Sequence, residues 1–214
     1  YSGFAAAISC ITPTITTSGT LSAFSSCSGS ASTAQSFTVS GTDLTANLVV
    51  TAPTGFEVST SQTGTYSSSV PFTPSSGTIS SQTVWVRLSS GATGTPSGNI
   101  TCVSSPATTQ NVAVSGTVNS NPTAVTVTGG AICSGGTITA SGGTGGTIYW
   151  QGTTSGGTST TSSGTTSPVI TTAGTYYARA QSSSGCWGTE GSASVTITAV
   201  PSFIAAGFSP ADAN

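Results

Sequence analysis

Cys133-Ser134-Gly135-Gly136, Thr147-Ile148-Tyr149-Trp150-Gln151, Gly174-Thr175-Tyr176-Tyr177-Ala178-Arg179 and Gly185-Cys186-Trp187 carry the most specific fold signal in the chain. A strand tryptophan between two cysteines, followed by a tyrosine that opens a late strand, is how a sandwich of two antiparallel sheets fills its centre. Trp150 is expected to face inward between the sheets. The Tyr176 hydroxyl is expected to tie a corner of the chain to backbone. The pattern departs from the antibody arrangement in one place. There the second cysteine stands two residues after the tyrosine. Here Ala178 occupies that position, and Cys186, the candidate partner of Cys133, comes at the far end of the same strand or in its loop.

The rest of the chain repeats the alternation in a simpler form. Gln35–Ser40 (Phe37, Val39), Ala46–Thr51 (Leu48, Val50), Thr83–Leu88 (Val84, Val86, Leu88), Gly98–Val103 (Ile100, Cys102) and Gln110–Ser115 (Val112, Val114) read as strands with the bracketed residues inward. Period-two alternation buries one face and leaves the other in water. Turn signals such as Ser40-Gly41 and Gly94-Thr95-Pro96 fall between them. In the second half, strands are expected near Ala124–Thr128, Thr137–Ala140, Thr147–Gln151, Pro168–Thr171, Thr175–Gln181 and Ser192–Thr198. The stretch from Gly152 to Thr166 is nearly all Gly, Ser and Thr and reads either as a flexible loop or as poorly defined edge strands.

The fold class is therefore all-β: two tandem immunoglobulin-like sandwiches with extended apolar termini. The boundaries are an N-terminal extension 1–10, a first sandwich 11–118, a linker 119–123, a second sandwich 124–199 and a C-terminal extension 200–214. Asn119-Ser120-Asn121-Pro122-Thr123 is the polar linker, whereas Phe4-Ala5-Ala6-Ala7-Ile8 and Phe203-Ile204-Ala205-Ala206-Gly207-Phe208 are apolar. Loose ends are normally polar, so something is expected to hold these down.

Charged residues are only 3% of the 214, against roughly 25% in a typical soluble domain. There is no Lys, His or Met. The cations are Arg87 and Arg179, and the acids are Asp43, Glu57, Glu190 and Asp212. A net charge of -2 attracts neither nucleic acid nor anionic lipid. No run approaches the roughly 18 apolar residues of a membrane span. The first ten residues lack the basic region of an intact signal peptide. Five cysteines in a Lys-free chain rich in Ser and Thr read as disulfides formed outside the cytoplasm. Cys27 is expected to bond Cys102, Cys133 to bond Cys186, and Cys10 is left over, either free, paired within the chain or joining two molecules.

Several phrases resemble a known family. Gln35-Ser36-Phe37-Thr38-Val39-Ser40-Gly41, Ala52-Pro53-Thr54-Gly55-Phe56-Glu57-Val58-Ser59, Gly98-Asn99-Ile100-Thr101-Cys102 and Asn111-Val112-Ala113-Val114-Ser115-Gly116-Thr117-Val118 resemble a repeat of large secreted Bacteroidota surface proteins. The stretch from Cys133 through Tyr149-Trp150 to Gly185-Cys186 is similar to the Ig-like domains of the same proteins, often exported by type IX secretion. Over residues 12 to 198 the resemblance implies an extracellular, cell-surface, non-catalytic role.

Enzyme chemistry is short of parts. Without His or Lys, proton transfer at neutral pH falls to four carboxylates or a perturbed Tyr or Cys. Asp43 and Glu57, 14 residues apart, read better as turn acids than as a glycosidase pair. No metal or other cofactor is expected. Interaction surface is better represented. Trp85 with Arg87, and Tyr177 with Arg179, are same-face neighbours that can stack as cation–π pairs, and such residues anchor interfaces. Tyr149, outward if Trp150 is inward, is expected to join Tyr177. Trp187 either stacks on a sugar ring or packs on the Cys186 disulfide.

Sheet edges invite pairing with another chain, and soluble proteins guard them with charge, Lys above all. The expectation is a structural subunit of an extracellular filament or surface layer. It would assemble with copies of itself through Phe4, Ile8, Phe203, Ile204 and Phe208. The alternative is an adhesin or carbohydrate-binding stalk that meets surface glycans. A third reading, an ice-binding face of Thr-x-Thr rows such as Thr126-Val127-Thr128, is weaker because the rows are short and scattered.

Overall fold

The computed structural model describes residues 12–199. Phe4, Ile8, Cys10, Phe203, Ile204 and Phe208 lie outside them. The described chain is all-β and divides into two compact units, Tyr1–Ser120 and Asn121–Asn214.

Unit 1 is a sandwich of two sheets. One runs β1 (Thr14–Ser18), β3 (Gln35–Thr42), β7 (Ile79–Leu88), β5 (Phe56–Ser59), all antiparallel. The other runs β2 (Phe24–Cys27), β9 (Gln110–Asn119), β8 (Ser97–Val103), β4 (Leu48–Thr51), β6 (Ser69–Phe72), with only the β2–β9 pair parallel. Every residue expected inward, from Phe37 to Val114, is buried in one hydrophobic core. The alternation works because successive side chains of a strand point to opposite faces. Phe24 and Phe56 join that core edge to face, with ring centroids 5.5 Å apart.

Unit 2 pairs β10 (Val125–Thr128) with β12 (Thr139–Gly142) and has a four-stranded sheet. The latter runs β11 (Gly130–Cys133), β15 (Gly191–Thr198), β14 (Gly174–Gln181), β13 (Thr147–Gly152). Trp150 is buried in the core with Val125, Ile138, Ile148 and Val195, and its indole N–H donates to the Gly164 carbonyl at 3.0 Å. Tyr176 donates its hydroxyl to the Thr172 carbonyl at 2.9 Å, which ties the corner before β14. Gly191 opens β15 where a Cβ would overlap the Val125 carbonyl, so no larger residue fits there.

The region around Pro168–Thr171 makes a single bridge, Gly136↔Ile170, rather than a strand. Ile170 is buried there while its neighbour Val169 is exposed, so one side chain anchors an otherwise irregular segment. The Gly152–Thr166 stretch resolves into a loop laid along the free edge of β13. Trp150 N–H bonds the Ser162 carbonyl, and Gly164 N–H bonds the Ile148 carbonyl. Gln151 clamps the loop from both ends of its amide, accepting from Ser159 N–H and donating to Ser159 O.

Both expected disulfides are overturned. Cys102 and Cys133 are free thiols, the first buried and the second exposed, while Cys27 and Cys186 are disulfide-bonded. Strand β9 acts as the ruler in unit 1. Cys27 sits opposite its Asn119 and Cys102 opposite its Gln110. Those partners are nine positions apart, about 30 Å along an extended strand, whereas a disulfide needs Cα atoms within about 7 Å. In unit 2, Cys133 lies opposite Thr198 at the end of β15, and Cys186 lies in the turn that leads into the first residue of β15. At least the length of that strand, about 23 Å, separates them.

Candidate interaction surfaces

In unit 1 the outer face of β5 and β7 brings together two of the three charged residues among those described, Glu57 and Arg87. Register places Glu57 directly opposite Arg87, and Arg87 Nε donates to Glu57 Oε1 at 2.6 Å. The bridge between Val58 and Ser67 brings the neighbouring Tyr66 to the same face. The Arg87 guanidinium lies 3.8 Å from the Tyr66 ring centroid, and the Tyr66 hydroxyl donates to the Gln62 carbonyl at 3.1 Å. Burial raises the Tyr66 phenol above its usual range, Arg87 pulls it back, and Glu57 adds to the rise. The ring facing Arg87 is thus Tyr66, not Trp85. Glu57 draws the guanidinium across the strand, whereas Trp85 stands further along β7 opposite Ser36 and Ser59. Asp43 takes no part in this cluster; it sits just after β3, at a positive φ of 57°.

In unit 2 the outer face of β13 and β14 carries a second cluster. Tyr149 is opposite Arg179. A bridge between Gln181 and Trp187 folds the following loop back over the sheet. Trp187 then meets Tyr149 edge to face at 5.9 Å, and the Arg179 guanidinium lies 5.4 Å from the Trp187 ring. Arg179 Nε also donates to the Gly188 carbonyl at 3.1 Å. The expected Arg179–Tyr177 and Tyr149–Tyr177 pairs give way to this arrangement. An irregularity between Trp150 and Gly152 sets Tyr177 opposite Gly152, three residues along β13 from Tyr149. Glu190, the other charged residue of the described part of unit 2, accepts from Ser155 Oγ and Gly156 N–H instead.

Beside this cluster runs an open cleft of about 450 Å³ lined by Gly146, Thr147, Tyr149, Gln181, Ser182 and Ser183. It offers hydroxyls, one carboxamide and an aromatic rim, the chemistry of a polar, uncharged ligand. Among the described residues no group of three or more His, Cys, Asp or Glu side chains converges as a metal site would require. Sequence reasoning missed Tyr66, which stands in a Ser/Thr/Gly turn with no alternation to mark it.

The Trp150 core and the Tyr176 corner are the marks of one architecture. Residues 121–201 match the family described as Ig-like domain CHU_C associated. That segment is an Ig-like domain, and the described chain is all-β in both units. No curated protein matches the chain. Similar solved structures include the fibronectin(III)-like modules of Clostridium thermocellum CbhA, at 14% identity and a TM-score of 0.31, covering 86% of this chain and 94% of that one. Another is the Ig1 and Ig2 pair of DIP-gamma, at 13% and 0.31, covering 88% and 98%. A third is a calcium-stabilised adhesin with which an Antarctic bacterium binds ice, at 17% and 0.31, covering 88% and 49%. At these identities and scores the likeness says nothing about ligand or activity.

Proposed function

We propose that the chain is a non-catalytic structural subunit of an extracellular filament or surface layer, joined to further copies of itself along its sheet edges. The observation that carries this reading is the state of those edges. Across β1, β2, β5, β6, β10, β11, β12 and β13 the sole charged residue is Glu57, already neutralised by Arg87. Two edges are blunted in other ways, β6 by Pro71 and β13 by its overlying loop. Strands β1, β2 and β11 carry neither charge nor proline, and bare edges of this kind pair with other strands. The disulfide-bonded Cys27 and Cys186 favour an oxidising compartment, as does the resemblance to secreted Bacteroidota surface proteins. Negative-stain microscopy and non-reducing gels of the purified chain test the reading. Fibres, sheets or a ladder of sizes are expected; monomers alone at every concentration would overturn it.

The cluster of Tyr149, Arg179 and Trp187 favours a second reading, an adhesin or carbohydrate-binding stalk within a larger surface protein. Aromatic rims beside hydroxyl-lined clefts suit sugar rings. A glycan array on which binding disappears in Trp187→Ala, while Trp85→Ala binds normally, would select this reading over the first.

A further inference from the structure

Strand β7 is ten residues long, and β3 runs beside it from Val86 back to Ile79. Strand β5 covers only its last part, from Trp85 to Leu88. Alternate residues of a strand turn their amides to opposite neighbours, and the directions are fixed at the covered end. Ser89 N–H bonds the Gly55 carbonyl on the β5 side, while Leu88 bonds Ser32 on the β3 side. Stepping back in twos from Ser89 turns Arg87, Trp85 and then Thr83 towards β5. Thr83 lies just past Ser59, the end of β5, where Ser59 Oγ takes Ser61 N–H and the chain turns away. Thr83 is exposed, and the described backbone hydrogen bonds outside the strand ladders give it no partner on this side. A cleft of about 260 Å³ opens alongside, lined by Phe72, Ile79, Ser80 and Gln82 among others, none of them charged.

We propose that this uncovered half of β7 accepts an extended strand supplied by residues 203–208 of a second copy, a contact that rests on the self-assembly reading. The segment Phe203-Ile204-Ala205-Ala206-Gly207-Phe208 is uncharged, and in extended form Ile204, Ala206 and Phe208 share one face. Large side chains flank a small one there, so the Phe208 ring can lie against Phe72 and Ile79 in the otherwise hydroxyl-lined cleft while the backbone meets the Thr83 amide. Added strands of this kind draw affinity from main-chain bonds and selectivity from side-chain pockets. Because acceptor and donor are different parts of the molecule, the contact is head to tail and propagates rather than closing.

The test uses full-length chains and analytical ultracentrifugation. Thr83→Pro removes an N–H directed away from β3, and Phe208→Asp places a charge in the donor face. Each variant alone is expected to remain monomeric where wild type grows with concentration. Mixed in equal amounts, they are expected to form dimers and stop there, because each retains the half that the other lacks. That mixture also controls for folding, and Thr83→Lys replaces Thr83→Pro if proline abolishes the sheet signal in circular dichroism. Wild-type assembly with both variants assembling equally well would overturn the β7 acceptor and leave self-assembly standing. Wild type that stays monomeric throughout would overturn both.

Discussion

Replacing Cys102 by Ala distinguishes the structure from the pairing that spacing suggests. In the structure Cys102 is a wholly buried free thiol in β8. Truncation removes one sulfur atom and leaves a small void, a loss of about 1–2 kcal/mol. A Cys27–Cys102 bridge would close a loop of about 75 residues, and the chain-entropy model then gives a loss of about 4.5 kcal/mol. Urea unfolding of unit 1 at neutral pH without reductant separates these values. The pH dependence supplies a second arm. Burial raises the Cys102 thiol from 9.0 to about 11, so the folded state holds its proton more tightly than the unfolded state. Below pH 9 both states are protonated and stability does not depend on this group. Between about pH 9 and 11 the unfolded thiol ionises first, and stability falls by up to about 3 kcal/mol. Cys102→Ala is expected to remove that slope. A loss of 4 kcal/mol or more at neutral pH, or failure of Cys102 to react with iodoacetamide in denaturant without reductant, would refute the reasoning. It would also mean that the β2–β9–β8 register is wrong.

Trp150→Ala should cost unit 2 about 3–5 kcal/mol, because the indole fills its core and its N–H holds Gly164; urea unfolding with hydrogen exchange resolved by unit reads this. Tyr176→Phe deletes only the bond to Thr172, and a loss of about 1 kcal/mol is expected in the same assay. Arg87→Gln removes the cation that lowers the Tyr66 phenol, so its phenolate absorbance should appear at higher pH than in wild type. The ion pair itself is partly exposed, at 33% and 21%, and its loss should change stability by no more than about 1 kcal/mol.

Much of the core was legible in the chain. Phe37 and Val39, Val84 through Leu88, and Val112 with Val114 announce themselves because alternation is a property of a single strand and needs no knowledge of its neighbours. Trp150 and Tyr176 were legible for a different reason: large side chains at set distances in a sandwich have few places to go. The short strands were not. Strand β1 buries Ile15 and β2 buries Phe24, one residue each, and a single buried residue has no period to detect. These strands exist because a neighbour completes their hydrogen bonds.

Local chemistry, read in order, was enough to determine a sparsely charged, two-sandwich, β-rich chain with Trp150 and the inward residues at its centres. Tertiary structure alone decided who meets whom. It set Cys27 and Cys102 about 30 Å apart along β9, gave Arg87 to Tyr66 and Arg179 to Trp187, and left half of β7 uncovered. The physical reason is that facing is encoded within each strand, whereas partnership depends on register between strands far apart in sequence, where a shift of one residue exchanges every neighbour.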